Sequence, residues 1–475
     1  ALQYHIMYNK GINLYGGTAM KTIHIEFSDE RLITPSGLVF VGQILGKSNF
    51  VKKINRAPIS NEYLQKQIKN GDILLTYIGM LCQGKPQYEA VREMMDDPGY
   101  YKYALGIAYA IPSAETLRQR FDMIGDSLRG DILQANIDML REMKIEPAAL
   151  ENGYVPVDID VTPFDNSKTK KEGVSRTYKG FDCYAPIMAY IGTEGYFVNT
   201  QLRVGKQHCQ KETPDFLRET IELCRQLTDK PLLIRLDSGN DASENIGIFM
   251  EESYRYNNVS FIIKRNPRQE SKEEWLASVK DCCTNIQKPR DGKTVYIGQT
   301  FRDVTYTLPN KTEKTAGIRT IYEITERTID KHGQYFIVPD IELDTYWTNL
   351  PLSDQNIIDL YHAHGESEQY HSEIKTDMDV ERLPSGKFDS NKLVLELTII
   401  AYNILRIVGQ ESLKKRDDPG RKKVRRRRIR TIISNLMQFA GHLTEHAGRL
   451  VLSIGRSNRW RFTFKRIYDS FASVS

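Results

Sequence analysis

The order of periodicities along the 475-residue chain predicts an α/β protein. Three runs rich in Val, Ile, Tyr and Thr, "YVPVDIDVT", "YAPIMAYIG" and "YFVNTQLRVG", are broken by Gly and polar turns and read as strands. A helical repeat with Leu217, Ile221 and Cys224 follows, then a short buried strand "PLLIRLD", a helix "SENIGIFMEESYRY" and a strand "VSFIIKR". Three strands followed by helix, strand, helix and strand is the order of a ribonuclease-H-like core.

The segments around that core differ in character. Residues 1–19, "ALQYHIMYNKGINLYGGTA", have no clear period and receive no role, whereas Met20 opens a plausible start. From 20 to 145 the pattern is mostly helical and marks out an N-terminal domain, whose DNA-binding role is expected from one pair of segments. Within it, "YYKYALGIAYAIPSAETLRQRFD" reads as an apolar helix, a break at Pro112, a Ser113 cap and a second helix bearing Arg118 and Arg120. Two readings stand: a helix-turn-helix whose second helix reads DNA, or a helical hairpin with solvated arginines. The core's first part spans 146–264, a polar β-rich insertion 265–347, and its second part 348–410. That last part contains two long helices, from about Ser353 to Asp377 and from Ser390 to about Val408.

Composition narrows the class. With 40% hydrophobic and 27% charged residues, the chain reads as globular and soluble. It has no run of 18 apolar residues and no charged-then-apolar opening, so a cytoplasmic location is expected. Cysteines at 82, 183, 209, 224, 282 and 283 lack paired CxxC spacing and suggest neither a disulfide framework nor a zinc ribbon. Charge is unevenly spread: Glu411–Ser475 holds 17 Lys+Arg against 5 Asp+Glu, net +12, and the remainder is net −7. A basic region at 411–475 is the footprint of a polyanion partner.

Three carboxylates occupy positions a metal site would need. Asp160 ends the first strand and Asp237 ends "LLIRLD", both where ligands collect at the edge of such a sheet. The third lies in "LYHAHGESEQYHSEIKTDMD". There Tyr361, His364, Glu368, His371 and Lys375 are spaced 3, 4, 3 and 4 apart. On a regular helix these five fall within an arc of roughly 80°, while His362, Glu366 and Glu373 point elsewhere. Asp158, Asp165 and Asp241 compete with the two aspartates in sequence. The plainer reading makes the stripe a solvated face and the aspartates turn formers.

This pattern resembles the DDE transposases of bacterial insertion sequences. One large group of them carries Tyr, two residues, Arg, three residues, Glu, six residues, Lys; here Tyr361, His364, Glu368 and Lys375 keep the spacing, with His in place of Arg. "VDIDVT" and "RLDSGND" look like the family's two aspartate motifs, and 131 positions separate Asp237 from Glu368, room for the β-rich insertion.

The resemblance implies Asp160, Asp237 and Glu368 as catalytic residues holding two Mg²⁺ ions, with Mn²⁺ as a substitute. It implies cut-and-paste transposition: binding of terminal inverted repeats, strand cleavage and joining to target DNA, by a homodimer on DNA in the bacterial nucleoid. Lys375 would hold a phosphate, and Tyr361 and His364 would meet backbone or a displaced base. A neutral imidazole cannot make the bidentate contact of Arg, so Arg176 is a candidate to take that part over. Trp347 resembles tryptophans that stack on a flipped base, and a core role is its plainer reading. Phosphate binding is expected of "RKKVRRRRIR", with Arg425, Arg426, Arg427 and Arg428, and of Trp460, Phe462 and Phe464 interleaved with Arg459, Arg461 and Lys465.

Two alternatives remain. One is a transposase-derived DNA-binding protein without catalysis. The weaker is a carboxylate/His metal enzyme built on Glu368 and His371, which needs a second Glu-x-x-His unit that the sequence lacks.

Overall fold

The computed structural model describes residues 23–59, 67–177, 179–308, 311–415, 417–420 and 423–473, so the segment 1–19 lies outside the described residues. At its centre is a mixed sheet of nine strands. In chain order these are β1 (Val155–Val161), β2 (Ile187–Ile191), β3 (Tyr196–Gln201), β4 (Leu232–Leu236), β5 (Val259–Arg265), β6 (Asn285–Arg290), β7 (Lys293–Thr307), β8 (Glu313–Ile329) and β9 (Tyr335–Thr348). Their order across the sheet is β6-β7-β8-β9-β5-β4-β1-β2-β3. β1, β4 and β5 run parallel, and every other pairing is antiparallel.

The parallel strands are short apolar runs because helices cover them. β4 is buried throughout, and β1 is buried until its last two residues. The crossovers are the helices Thr213–Arg225 and Ser243–Tyr256. The first has Pro214 in its opening turn and buries Phe216, Leu217, Thr220, Ile221 and Cys224 on one face.

The β-rich stretch after 265 is not set apart from the core. β9 pairs with β5 from Thr345 opposite Arg265 to Thr348 opposite Ile262, so the long strands extend the central sheet. A short helix, Lys272–Lys280, packs Leu276 and Val279 against Tyr296, Tyr322, Ile324 and Leu343.

Of the two long helices expected near the C-terminal side, one is continuous and one is broken. Phe388–Leu413 is a 26-residue helix, long and apolar enough to cross a membrane, yet 94% of its most apolar stretch lies inside the protein. Helices Asn70–Leu81, Ala114–Ile124 and Arg129–Glu142 pack around it and make it the axis of the helical half. The stretch from Ser353 is a chain of four pieces: α-helix Asp354–His362, 3-10 turn Ala363–Glu366, α-helix Ser367–Ser372 and π turn Glu373–Asp377.

The basic C-terminal region folds back onto the N-terminal helices. Strand Arg31–Ile33 pairs with Gly441–His446, which forms a hairpin with Arg449–Ile454. Helix Arg461–Ser473 seats Phe464 and Phe471 on Phe40, with ring centroids 4.6 and 6.1 Å away.

Candidate active site

Strand register brings two carboxylates together. Ile159 of β1 lies opposite Leu236 of β4 in a parallel pair, so the next residue on each chain is Asp160 and Asp237. Both are half-buried at the strand ends. Asp160 Oδ1 accepts from the Val161 N–H at 2.7 Å, and Asp237 Oδ1 from Asn240 Nδ2 at 2.6 Å. Burial and then the negative charge of Asp237 push the Asp160 carboxyl up to about 6. Two carboxylates in mutual repulsion form an oxygen donor pair of the kind a hard divalent cation neutralises.

Asp158 is used differently, although it shares a strand face with Asp160. It accepts two hydrogen bonds from Arg235, at 2.6 and 2.8 Å, and its Oδ1 lies 3.0 Å from His364 Nδ1. Burial alone would raise its pKa, but Arg235 and His364 hold it down at about 2. Arg235 Nη1 also donates to the Leu360 carbonyl at 2.8 Å, tying β4 to the helix before Glu368. Asp158 is therefore an anchor, and Asp160 is the carboxylate left beside Asp237. Asp165 is exposed and accepts from the Ser167 N–H. Asp241 accepts from Trp347 Nε1 at 2.8 Å and the Asn266 N–H at 2.9 Å.

Four of the five stripe residues approach this edge. Burial first, and the charges of Asp237 and Asp160 next, raise the Tyr361 hydroxyl. His371 is buried with Nδ1 3.7 Å from Asp160 Oδ2, and burial pushes its pKa down to about 3, so its imidazole is neutral. Lys375 Nζ lies 3.4 Å from Thr162 Oγ1, just beyond Asp160 on the chain, and 3.4 Å from Glu381.

Glu368, expected at the centre of that stripe, is exposed. Among the described residues no group of three or more His, Cys, Asp or Glu side chains is poised to hold a metal ion. The expectation of one regular helical face is corrected by the two changes of pitch. A 3-10 turn advances about 120° per residue and a π turn less than an α-helix, so spacing along the chain no longer fixes direction. The inward pull of Asp158 on His364, and of the Phe388–Leu413 helix on Glu373, accompanies those changes.

The other expected DNA contacts divide. Arg176 is exposed on the short strand Ser175–Arg176. Trp347 is 7% exposed, bonded to Asp241 and under the Arg265 guanidinium at 5.3 Å. It does line an open cleft with Arg268 and Asn266. Arg118 is half-buried and held by Glu115 and Glu89 at 2.5 and 2.6 Å. Arg120 is buried, donating to Asn70 Oδ1 at 2.5 Å and the Ile68 carbonyl at 2.7 Å. Its guanidinium joins two N-terminal helical segments. Arg427 is likewise buried, paired with Asp418 and 5.9 Å from the Trp460 ring. Arg425, Arg426 and Arg428 face the segment that carries Glu368. Trp460 and Phe464 are core residues, and Phe462 is exposed.

The sequence reading passed over Arg235 and Arg406 and set Glu373 aside as pointing away from the stripe. One signal was available: an arginine inside the apolar runs "LLIRL" and "IIAYNILRIVG" has to find a buried acidic or carbonyl partner.

Fold and carboxylate pair together define an α/β protein with an acidic centre at the ends of two parallel strands. The chain belongs to the family described as transposase DDE domain group 1, whose model matches residues 17–475. Among solved structures it is similar to a piggyBac transposase in a synaptic complex with hairpin DNA. The identity is 11% and the TM-score 0.38, over 92% of this chain and 84% of that one. The comparison with curated proteins finds no match.

Proposed function

We propose that this chain is a cut-and-paste DNA transposase of a bacterial insertion sequence. It binds the terminal inverted repeats of its element, cleaves there and transfers the ends to target DNA, as a homodimer on DNA. The observation that carries the reading is the Asp160–Asp237 pair on neighbouring parallel strands, inside a chain of the DDE family. The strand order β3-β2-β1-β4-β5, with β2 antiparallel, supports a ribonuclease-H-like core.

Asp160 and Asp237 fit a divalent ion, and Mg²⁺ is the ion we assign, with Mn²⁺ as a substitute. Glu368 is the third ligand and has to turn inward from its exposed position. When bound, such ions supply Lewis-acid activation of the attacking oxygen and charge stabilisation at phosphorus. The protein's own groups then have separate tasks. Asp158, Arg235 and His364 fix the strand edge against the Asp354–His362 helix. Lys375, beside Thr162, holds a phosphate oxygen at the end of β1. Tyr361 closes the centre from the side of β9 through its ring contact with Tyr346 at 4.9 Å.

The test is incubation of purified protein with a labelled element end and Mg²⁺, comparing the native chain with Asp237→Asn. Loss of strand cleavage in the variant is expected, and undiminished cleavage would remove the enzyme assignment. A second reading, a DNA-binding protein without catalysis, is favoured by the exposed Glu368. It predicts tight binding to the element end with no cut strand in either protein.

A further inference from the structure

The arginines of "VRRRRIR" meet different fates. Arg425 has a side chain 66% exposed, with Glu366 4.0 Å away. Arg426 is 7% exposed and donates to Glu366 Oε2 at 3.1 Å, Gln369 Oε1 at 2.9 Å and the Thr193 carbonyl at 3.4 Å. Its guanidinium also lies over the Tyr370 ring, 4.5 Å from the centroid. Arg428 donates to both oxygens of Asp377, at 2.8 and 3.0 Å, and to Ser372 Oγ at 3.3 Å. The Ile429 N–H donates to Glu373 Oε1 at 3.3 Å, and the Arg430 N–H to Asp377 Oδ2 at 3.1 Å. Glu366, Gln369, Ser372, Glu373 and Asp377 all belong to the short segment that carries Glu368.

A six-residue α-helix between a 3-10 turn and a π turn does not support itself in water. Its direction has to come from outside. A run of like charges, for its part, stays solvated unless carboxylates and ring faces compensate its burial; for Arg426 they do, while Arg428 keeps a side chain 43% exposed and is held by the Asp377 carboxylate.

We propose that Arg426 and Arg428 are positioning residues. They form a strap that sets the pitch of the Ala363–Asp377 segment and hence the direction of Glu368, while Arg425 is left to meet DNA phosphate. The proposal rests on the role given to Glu368 under the function proposed above. It reassigns charge that composition would credit to nucleic-acid affinity.

The experiment reads two quantities on the full chain with a labelled duplex of the element end: the salt dependence of binding, and the single-turnover cleavage rate. Arg425→Ala lowers the slope of log K against log salt by about one, the loss of one phosphate contact. Arg426→Ala leaves that slope unchanged and lowers the cleavage rate by about 10²-fold, the effect of a displaced catalytic group. Glu366→Gln, which leaves every arginine in place and removes the carboxylate that Arg426 donates to, gives the same split and covers the case in which Arg426→Ala fails to fold. The exchanged pair Glu366→Arg with Arg426→Glu recovers rate over either single change. A drop in salt slope for Arg426→Ala equal to that of Arg425→Ala overturns the proposal, as does tighter DNA binding with an unchanged rate in Glu366→Gln. If the native chain cuts nothing, the catalytic reading falls, and the salt slopes still decide between strap and phosphate contact.

Discussion

Glu373 and Arg406 form an ion pair with neither side chain exposed to solvent at all. Glu373 Oε2 accepts from Arg406 Nη2 and from the Tyr402 hydroxyl, the latter at 3.0 Å, and Arg406 also donates to the Arg427 carbonyl at 2.8 Å. One pair thus joins the π turn after Glu368, the axial helix and the C-terminal arginine run.

Breaking that pair from one side leaves a buried charge without its partner. Glu373→Ala is expected to cost about 3–5 kcal/mol, whereas Glu373→Met combined with Arg406→Leu costs much less. Denaturant midpoints of the three chains check this. Equal losses in the single and double variants would show that packing, not charge, dominates the site.

Asp158 and Asp160 are two residues apart and should fail in different ways. Asp160→Asn removes a carboxylate from the pair with Asp237 and is expected to abolish cleavage without lowering the melting temperature. Asp158→Asn removes the negative charge that Arg235 and His364 share, with one of its two acceptor oxygens, and is expected to lower stability by about 2–4 kcal/mol. Parallel thermal melts and cleavage assays separate the two, and the opposite assignment would exchange anchor and ligand.

Glu396 sits in the axial helix with its Oε2 buried and unpartnered. Burial first, and Asp126 next, raise its pKa well above the ordinary value, with Arg129 and Lys392 opposing. An acid whose pKa is higher in the folded chain binds more protons there. Its contribution to stability is therefore full below the unfolded value of about 4.3 and is lost as pH rises through the folded value. Glu396→Gln keeps the shape without the charge. The variant should match the native chain near pH 4 and melt higher at pH 8, and a constant difference across that range would contradict the assignment.

Arg120 gives a test of the N-terminal half. Its bonds to Asn70 and the Ile68 carbonyl make Arg120→Ala destabilising by about 1–3 kcal/mol. The discrimination between element-end and unrelated DNA should stay as it was in the folded variant. A selective loss of end recognition, read by competition binding, would favour the helix-turn-helix reading.

The sequence by itself determined the strands and their order in the chain, because apolar runs bounded by Gly and polar turns leave the backbone little choice. It also placed Asp160 and Asp237 at strand ends, since each closes such a run. What it left open were relations between distant segments. Asp158 and Asp160 look alike on one strand face, and only Arg235 and His364, 77 and 206 positions away, consume one and leave the other. Glu368 looked central on a regular helix, but contacts with Asp158 and Arg406 accompany a change of pitch on either side of it. The arginines of the C-terminal run read as free charge until Glu366 and Asp377 came within hydrogen-bond distance. Local pattern is set by neighbours in the chain, whereas the partner of a buried charge is set by whatever the whole fold carries to it.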